Sequence, residues 1–85
     1  MIFDVNEIAK VAEGMGLEPK EIDGWEEHCD GSIDFGDWHI QVGEGYMVIC
    51  RWVLNRTGIE EISASSPTTI LQVEKTIKSA LKKMA

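Results

Sequence analysis

The chain has 85 residues, enough for one small hydrophobic core but too few for two independent ones. A hydrophobic fraction of 44% is ordinary for a folded domain and argues against intrinsic disorder. The formal net charge is -7, and it is unevenly distributed: residues 18–50 contain nine acidic residues and one basic residue, whereas residues 51–85 contain three and six. Negative charge of this density repels phosphates, so we expect no direct nucleic-acid binding.

Targeting signals are not evident in the sequence. The first ten residues, MIFDVNEIAK, lack the basic and apolar regions of a signal peptide, and no stretch approaches the roughly 20 apolar residues that span a bilayer. Two cysteines are too few for a disulfide framework and fit free thiols in a reducing compartment. We therefore expect a cytoplasmic protein that does not associate with membranes.

The N-terminal region has the pattern of an amphipathic helix. Asp4 and Glu7 have the spacing of a capping box, in which each side chain accepts a hydrogen bond from the backbone N–H of the other residue. This predicts a helix that begins at Val5 and ends before Gly16, because glycine tolerates the left-handed conformation that follows many helices. Apolar residues at spacings of three and four indicate its buried stripe. They are Val5, Ile8, Ala9, Ala12 and Met15.

Residues 18–31 show no sustained periodicity and contain Pro19, Gly24 and Gly31. Proline and glycine interrupt both helices and strands. We interpret these residues as a connecting segment, with a short extended piece around Trp25–Cys29.

Short apolar runs separated by turn residues begin at Ser32. The three clearest runs cover residues 32–35, 38–42 and 46–54. Gly36-Asp37 and Gly43-Glu44-Gly45 separate them, and glycine accepts the positive φ that tight hairpin turns need. A weaker run at residues 59–64 follows a third turn. The pattern predicts an antiparallel meander of three to four strands.

The C-terminal region predicts a second amphipathic helix. Ser66 can cap it and Pro67 fits its first position, where the missing N–H has no intrahelical partner. Its apolar stripe consists of Ile70, Val73, Ile77, Leu81 and Met84. The whole sequence thus predicts a single α+β domain over residues 1–85: a helix, the meander and a C-terminal helix, with both helices packed on one sheet face.

Both alternate sets of side chains along the central strand are largely apolar. One set contains Tyr46, Val48, Cys50, Trp52 and Leu54, and the other contains Met47, Ile49, Arg51 and Val53. The outer face of a half-solvated antiparallel sheet is normally polar. We therefore expect either that the segment around Trp25 covers the second face or that this face meets another protein, which makes a homodimer one alternative.

Catalytic and metal-binding motifs are weak. His28 and Cys29 are adjacent, and no C-x-x-C or H-x-x-x-H spacing is present to begin a zinc site. Cys29 lies between Glu27 and Asp30, which disfavour a thiolate, whereas Cys50 lies in the most apolar strand and fits a core position. Phosphate-loop, dinucleotide and hydrolase motifs are absent from the sequence. We expect no enzyme activity, no metal and no cofactor.

The feature that points to function is the acidic segment interspersed with aromatic residues. Exposed carboxylates can imitate the phosphates of a nucleic acid, and tryptophan is a favoured interface anchor. We expect a non-catalytic binding module that occupies the basic groove of a nucleic-acid-binding protein as an inhibitor. The expected contact residues are Glu21, Asp23, Trp25, Glu26, Glu27, Asp30, Asp34, Asp37 and Glu44.

In size and charge the chain is similar to small acidic counter-defence proteins of phages and mobile elements, such as anti-CRISPR proteins. This similarity implies an inhibitory role. The alternative is a homodimeric structural or chaperone-like adaptor that pairs through an apolar sheet face. The remaining interpretation of the acidic segment is a solvated surface that keeps a small protein soluble.

Overall fold

A computed structural model describes residues 3–24 and 30–85. The chain forms two helices and a five-stranded antiparallel sheet, so the predicted α+β class is confirmed. The helices are α1 (Val5–Gly14) and α2 (Ile70–Met84). The strands are β1 (Glu21–Gly24), β2 (Gly31–Asp34), β3 (Trp38–Gly43), β4 (Tyr46–Val53) and β5 (Gly58–Ser65).

Helix α1 begins where the capping pattern predicts. The backbone N–H of Glu7 donates to Asp4 Oδ1 at 2.8 Å, and that of Asp4 donates to Glu7 Oε1 at 3.2 Å. Together these bonds satisfy donors that the first helical turn leaves without partners. Gly16 follows the helix with φ of 85°, as expected for a residue that ends it.

Helix α2 begins three residues later than the proline pattern predicts. Its N-cap is Thr69, whose hydroxyl accepts a hydrogen bond from the backbone N–H of Gln72 at 3.1 Å. The Gln72 side chain in turn accepts from the backbone N–H of Thr68 at 2.6 Å. Thr69 and not Ser66 is the N-cap, because the contacts among Thr68, Thr69 and Gln72 satisfy the backbone N–H groups of both Thr68 and Gln72. Neither described helix combines the length and apolar character needed to cross a bilayer.

The sheet has the strand order β1-β2-β3-β4-β5, so each strand pairs with its neighbours in the chain. The prediction of three to four strands was therefore wrong. The weak run at residues 59–64 is a full eight-residue strand, and Glu21–Gly24 forms an additional strand inside the predicted connecting segment. All four residues of β1 are exposed, and a short, charged edge strand lacks the apolar alternation that marks central strands. The extended piece predicted at residues 25–29 lies outside the described residues.

One set of alternating side chains forms the hydrophobic core with both helices. Buried side chains of this set, named here the core face, are Ile33, Ile40, Val42, Met47 and Ile49. Helix α1 contacts β1 and β2, helix α2 contacts β4 and β5, and the two helices contact each other. The helical residues buried in the same cluster are Val5, Ile8, Ala9, Ala12, Val73, Ile77 and Ala80.

Two facing glycines allow α1 to lie close to the sheet. Gly24 of β1 is directly opposite Gly31 of β2. A Cβ added to Gly31 would lie 2.5 Å from the carbonyl oxygen of Asp23 and 3.0 Å from Cβ of Val5. A Cβ added to Gly24 would lie 2.5 Å from Cγ1 of Val5. The first turn of α1 therefore rests directly on the β1–β2 backbone, which holds β1 in place.

Candidate functional site

The side chains opposite the core face form what we call the second face of the sheet, and its composition changes from one edge to the other. A single row of directly paired residues crosses all five strands. The row consists of Glu21, Asp34, His39, Cys50 and Glu61. Because paired residues in a sheet point to the same side, the Asp34 carboxylate from β2 lies between the Glu21 carboxylate from β1 and the His39 imidazole from β3.

A depression of about 240 Å³ occupies the β1–β3 side of the second face. It is lined by Glu21, Asp23, Ser32, Asp34, His39, Gln41, Trp52 and Ile59. Three of these residues are acidic, and they come from two neighbouring strands. We call this feature the acidic depression. Its carboxylates and its tryptophan ring are suited to a positively charged group.

His39 is buried within the acidic depression, with only 4% of its surface exposed. Its ring lies next to that of Trp52, with 4.7 Å between the ring centroids. Nδ1 of His39 and Nε1 of Trp52 are both buried and have no hydrogen-bond partner in the described part of the chain. Buried polar atoms are nearly always hydrogen-bonded, so unpaired atoms on these two neighbouring side chains indicate a place where a ligand or an ordered water molecule can supply the missing bonds.

Burial lowers the pKa of the His39 imidazole below its ordinary value. The nearby Arg56 guanidinium lowers this pKa further, whereas the Asp34 carboxylate raises it. The imidazole is therefore neutral at neutral pH. A neutral imidazole has one nitrogen that accepts a hydrogen bond, which suits a ligand that carries N–H donors.

The lowered pKa of His39 predicts a loss of stability in mild acid. The unfolded chain, with an imidazole pKa of about 6.5, binds a proton more readily than the native protein does. Stability is then complete above that pH and falls as the pH decreases towards the native pKa. We expect the urea midpoint of a His28→Gln variant, in which His39 is the remaining imidazole, to fall between neutral pH and mildly acidic pH.

Adding His39→Gln to that variant should remove most of this pH dependence, because no imidazole is left to titrate. The carboxyl groups of model peptides titrate near pH 4, below this range. Equal slopes for the two proteins would contradict a neutral, buried His39.

Arg56 lies at the margin of the acidic depression. Its guanidinium carbon is 4.7 Å from the centroid of the Trp52 ring, and Nη2 lies 3.6 Å from Oδ2 of Asp34. Nη1 donates a hydrogen bond of 2.7 Å to the carbonyl oxygen of Gly36 in the β2–β3 turn. Arg56 thus connects the β4–β5 loop to this turn while its cation contacts a ring and a carboxylate of the depression.

Cys50 is directly opposite His39 on β4 but does not have the properties of an activated nucleophile. It is 4% exposed, and burial, together with the Glu61 carboxylate, raises the pKa of its thiol. A raised pKa keeps the sulfur protonated, whereas thiol catalysis needs a thiolate. Within residues 3–24 and 30–85, no three His, Cys, Asp or Glu side chains are grouped closely enough to hold a metal ion.

The structure places the acidic residues predicted from the sequence in several locations. Glu21, Asp23 and Asp34 line the acidic depression together. Asp37 lies in the β2–β3 turn, beside a groove that the end of α2 helps to form, and Glu44 lies in the turn at the other end of β3. Asp30 is exposed just before β2. The predicted contacts Trp25, Glu26 and Glu27 lie outside the described residues.

Sequence reasoning did not include His39, Gln41 and Trp52 in the site. A usable signal was present, because strand alternation places His39 and Gln41 opposite the apolar Ile40. Their proximity to Glu21 and Asp34 depends on the register of three hairpins and on the existence of β1. No family model, curated protein or solved structure matches the chain.

Proposed function

We propose that this chain is a non-catalytic protein-binding module whose acidic surface docks in the basic groove of a nucleic-acid-binding protein and inhibits it. The observation that supports this proposal most strongly is the convergence of Glu21, Asp23 and Asp34 at the acidic depression. Carboxylates arranged side by side can take the place of phosphates on a surface that normally binds nucleic acid.

The charges of this surface are largely uncompensated within the chain. The ion pairs among residues 3–24 and 30–85 join Arg56 to Asp34 and Arg51 to Glu60. Glu21 and Asp23 have no ion-pair partner among those residues, and both are exposed on the edge strand β1. Carboxylates exposed on an edge strand are accessible to the surface of a partner, including the walls of a groove. Unpaired charges of one sign also accelerate association with a partner of the opposite charge.

The proposal predicts that charge reversal on β1 abolishes binding. Immobilised protein should capture a basic protein from lysate of the cells that produce this chain, and added duplex DNA or RNA should release the captured protein by competition. A Glu21→Lys/Asp23→Lys variant should capture at least about tenfold less, because two favourable charge interactions become repulsive. Both side chains are exposed, so the fold should be retained, which circular dichroism can verify.

The matched control is a Glu13→Lys/Glu18→Lys variant, which changes the net charge equally at two exposed positions away from the depression. This control should capture as much as the unmodified protein. Equal losses in the two variants would mean that overall charge, and not this surface, governs binding. If added DNA or RNA does not release the captured protein, the two do not compete for one surface, and the proposed inhibition is contradicted.

A homodimeric adaptor remains the second candidate, supported by exposed apolar side chains of β4 and β5 on the second face. Tyr46 and Ile59 are 52% and 54% exposed, and β5 leaves one edge of the sheet without a partner strand among the described residues. Met47 and Ile49 cannot form this interface, since both are buried in the core. Light scattering tests this candidate. A dimer that dissociates in the Ile59→Asp variant, with no capture of a basic protein from lysate, would favour the adaptor over the inhibitor.

A further inference from the structure

We infer that the acidic depression recognises an arginine side chain of the partner, and that Arg56 engages two of its lining residues, Trp52 and Asp34, until the partner displaces it. This inference rests on the proposed function, because it names the group that the same surface would bind. It adds a specific chemical preference, for a guanidinium over an ammonium group, and a specific internal competitor.

Arg56 itself shows that two lining residues of the depression, Trp52 and Asp34, can contact one guanidinium. The group lies over the face of Trp52 at 4.7 Å and faces Asp34 at 3.6 Å, so one cation contacts an aromatic ring and a carboxylate at the same time. This combination is the one that arginine forms best, since its planar guanidinium can stack on a ring while its edge donates to oxygen atoms.

The ion pair of Arg56 with Asp34 is weak enough to be exchanged, although Nη1 of Arg56 also donates a hydrogen bond of 2.7 Å to the carbonyl oxygen of Gly36, which does not line the depression. Half of the Arg56 side chain is exposed, and its 3.6 Å distance to Asp34 is long for a charge-assisted hydrogen bond. Exposed ion pairs of this kind contribute little to stability. A partner arginine that also reaches Glu21 and Asp23 would gain interactions that Arg56 does not make.

The loop that carries Arg56 is strained. Leu54, Asn55 and Arg56 have φ values of 53°, 55° and 71°, although none of them is glycine. Left-handed backbone conformations are unfavourable for residues with a side chain, above all for Leu54 and Arg56.

The unpaired buried Nδ1 of His39 supplies a further reason to expect a donor-bearing ligand at this site. His39 is buried, lines the acidic depression and has an Nδ1 without a hydrogen-bond partner among the described residues. Guanidinium has five N–H donors in a rigid plane and can bond to a carboxylate and a neutral imidazole together. Ammonium is smaller, more strongly hydrated and has no plane to place on Trp52.

Calorimetric titration of the full chain with a short, capped arginine peptide tests the inference. Peptides of the same length made of lysine and of citrulline serve as probes of charge and shape. We expect the arginine peptide to bind at least about threefold more tightly than the lysine peptide, and the uncharged citrulline peptide not to bind. Equal affinity for arginine and lysine would overturn the assignment of guanidinium.

Paired variants locate the binding. Asp34→Asn should weaken binding of the arginine peptide by about tenfold, whereas Glu13→Gln, which removes the same charge elsewhere, should change it less than about twofold. The amide oxygen of the substituted side chain can still accept the hydrogen bond that Asp34 Oδ1 receives from the backbone N–H of Gly36, so the turn should be preserved. If Asp34→Asn unfolds the protein, Glu21→Gln/Asp23→Asn provides the same test from the exposed strand β1.

Arg56→Gln tests displacement. Removal of the internal competitor should strengthen binding of the arginine peptide by at least about threefold, whereas Arg51→Gln, which also removes one positive charge, should not. Equal effects of the two variants would contradict displacement. The two proposals fail in different ways. If the protein captures a basic protein and charge reversal abolishes this capture, but arginine peptides bind no better than lysine peptides, this inference is overturned and the proposed function stands. If no basic protein is captured, the proposed function is overturned.

Discussion

Ile40→Ala should lower the free energy of unfolding by about 2–5 kcal/mol, since truncation of a large core side chain loses buried apolar surface and leaves a cavity. Ile40 lies in the middle of the central strand β3, pairs with Ile33 and Ile49 on its two sides and has no exposed surface. Small domains have total stabilities of roughly 5–15 kcal/mol. The loss is therefore a large fraction of the total and should be measurable by urea denaturation monitored by circular dichroism.

Ile59→Ala is the control for this substitution. Ile59 is on β5, and more than half of its surface is exposed on the second face. Its truncation should change the free energy of unfolding by no more than about 0.5 kcal/mol, as is usual at surface positions. Similar losses in the two variants would show that Ile40 is not at the centre of the core.

Gly31→Ala should lower the free energy of unfolding by about 1–3 kcal/mol, although it adds a single methyl group. The new carbon would collide with the carbonyl oxygen of Asp23, which belongs to the backbone of β1 and cannot rotate away. Either β1 or the first turn of α1 must then shift. A shift of β1 would also displace Glu21 from the acidic depression, so Gly31→Ala should weaken partner binding as well.

Gly14→Ala provides a comparison with the same chemical change. Gly14 is the last residue of α1, and apart from the neighbouring helix backbone no atom lies within 4 Å of the position that a Cβ would take. Alanine is the better helix former, so this variant should be more stable than the unmodified protein by up to about 1 kcal/mol. The denaturation midpoints of Gly31→Ala and Gly14→Ala should therefore move in opposite directions. If both midpoints move in the same direction, the close approach of α1 to the sheet is contradicted.

Features determined by residues close in the sequence could be predicted, and features determined by distant pairs could not. The cap formed by Asp4 and Glu7 depends only on residues close in the sequence, and so does the positive φ of Gly36 in the β2–β3 turn. The structure contains both features. The predicted start of α2 is three residues too early, because Ser66, Thr68 and Thr69 are chemically similar capping residues. The contacts with Gln72 make Thr69 the N-cap.

The acidic depression shows the same limit more clearly. The acidity of residues 18–50 is evident from the sequence, but the sequence alone does not distinguish Glu21, which lines the depression, from Glu44, which lies in the β3–β4 turn and does not line it. That distinction requires the pairing of β1 with β2, and β1 has no apolar alternation to reveal it. Trp52 and Arg56 reach the depression from the fourth strand and the loop after it, too far along the chain for spacing rules to connect them with Asp34.

The order of the strands in the sheet has a consequence for how fast the protein can fold. Since every strand pairs only with its neighbours in the chain, each hairpin can form without first closing a long loop. Proteins with such local contacts fold faster than those with distant strand pairings. The contact between α1 and α2 is the exception, because it joins the two ends of the chain. Docking of the terminal helices against each other is therefore the step that we expect to complete the core last.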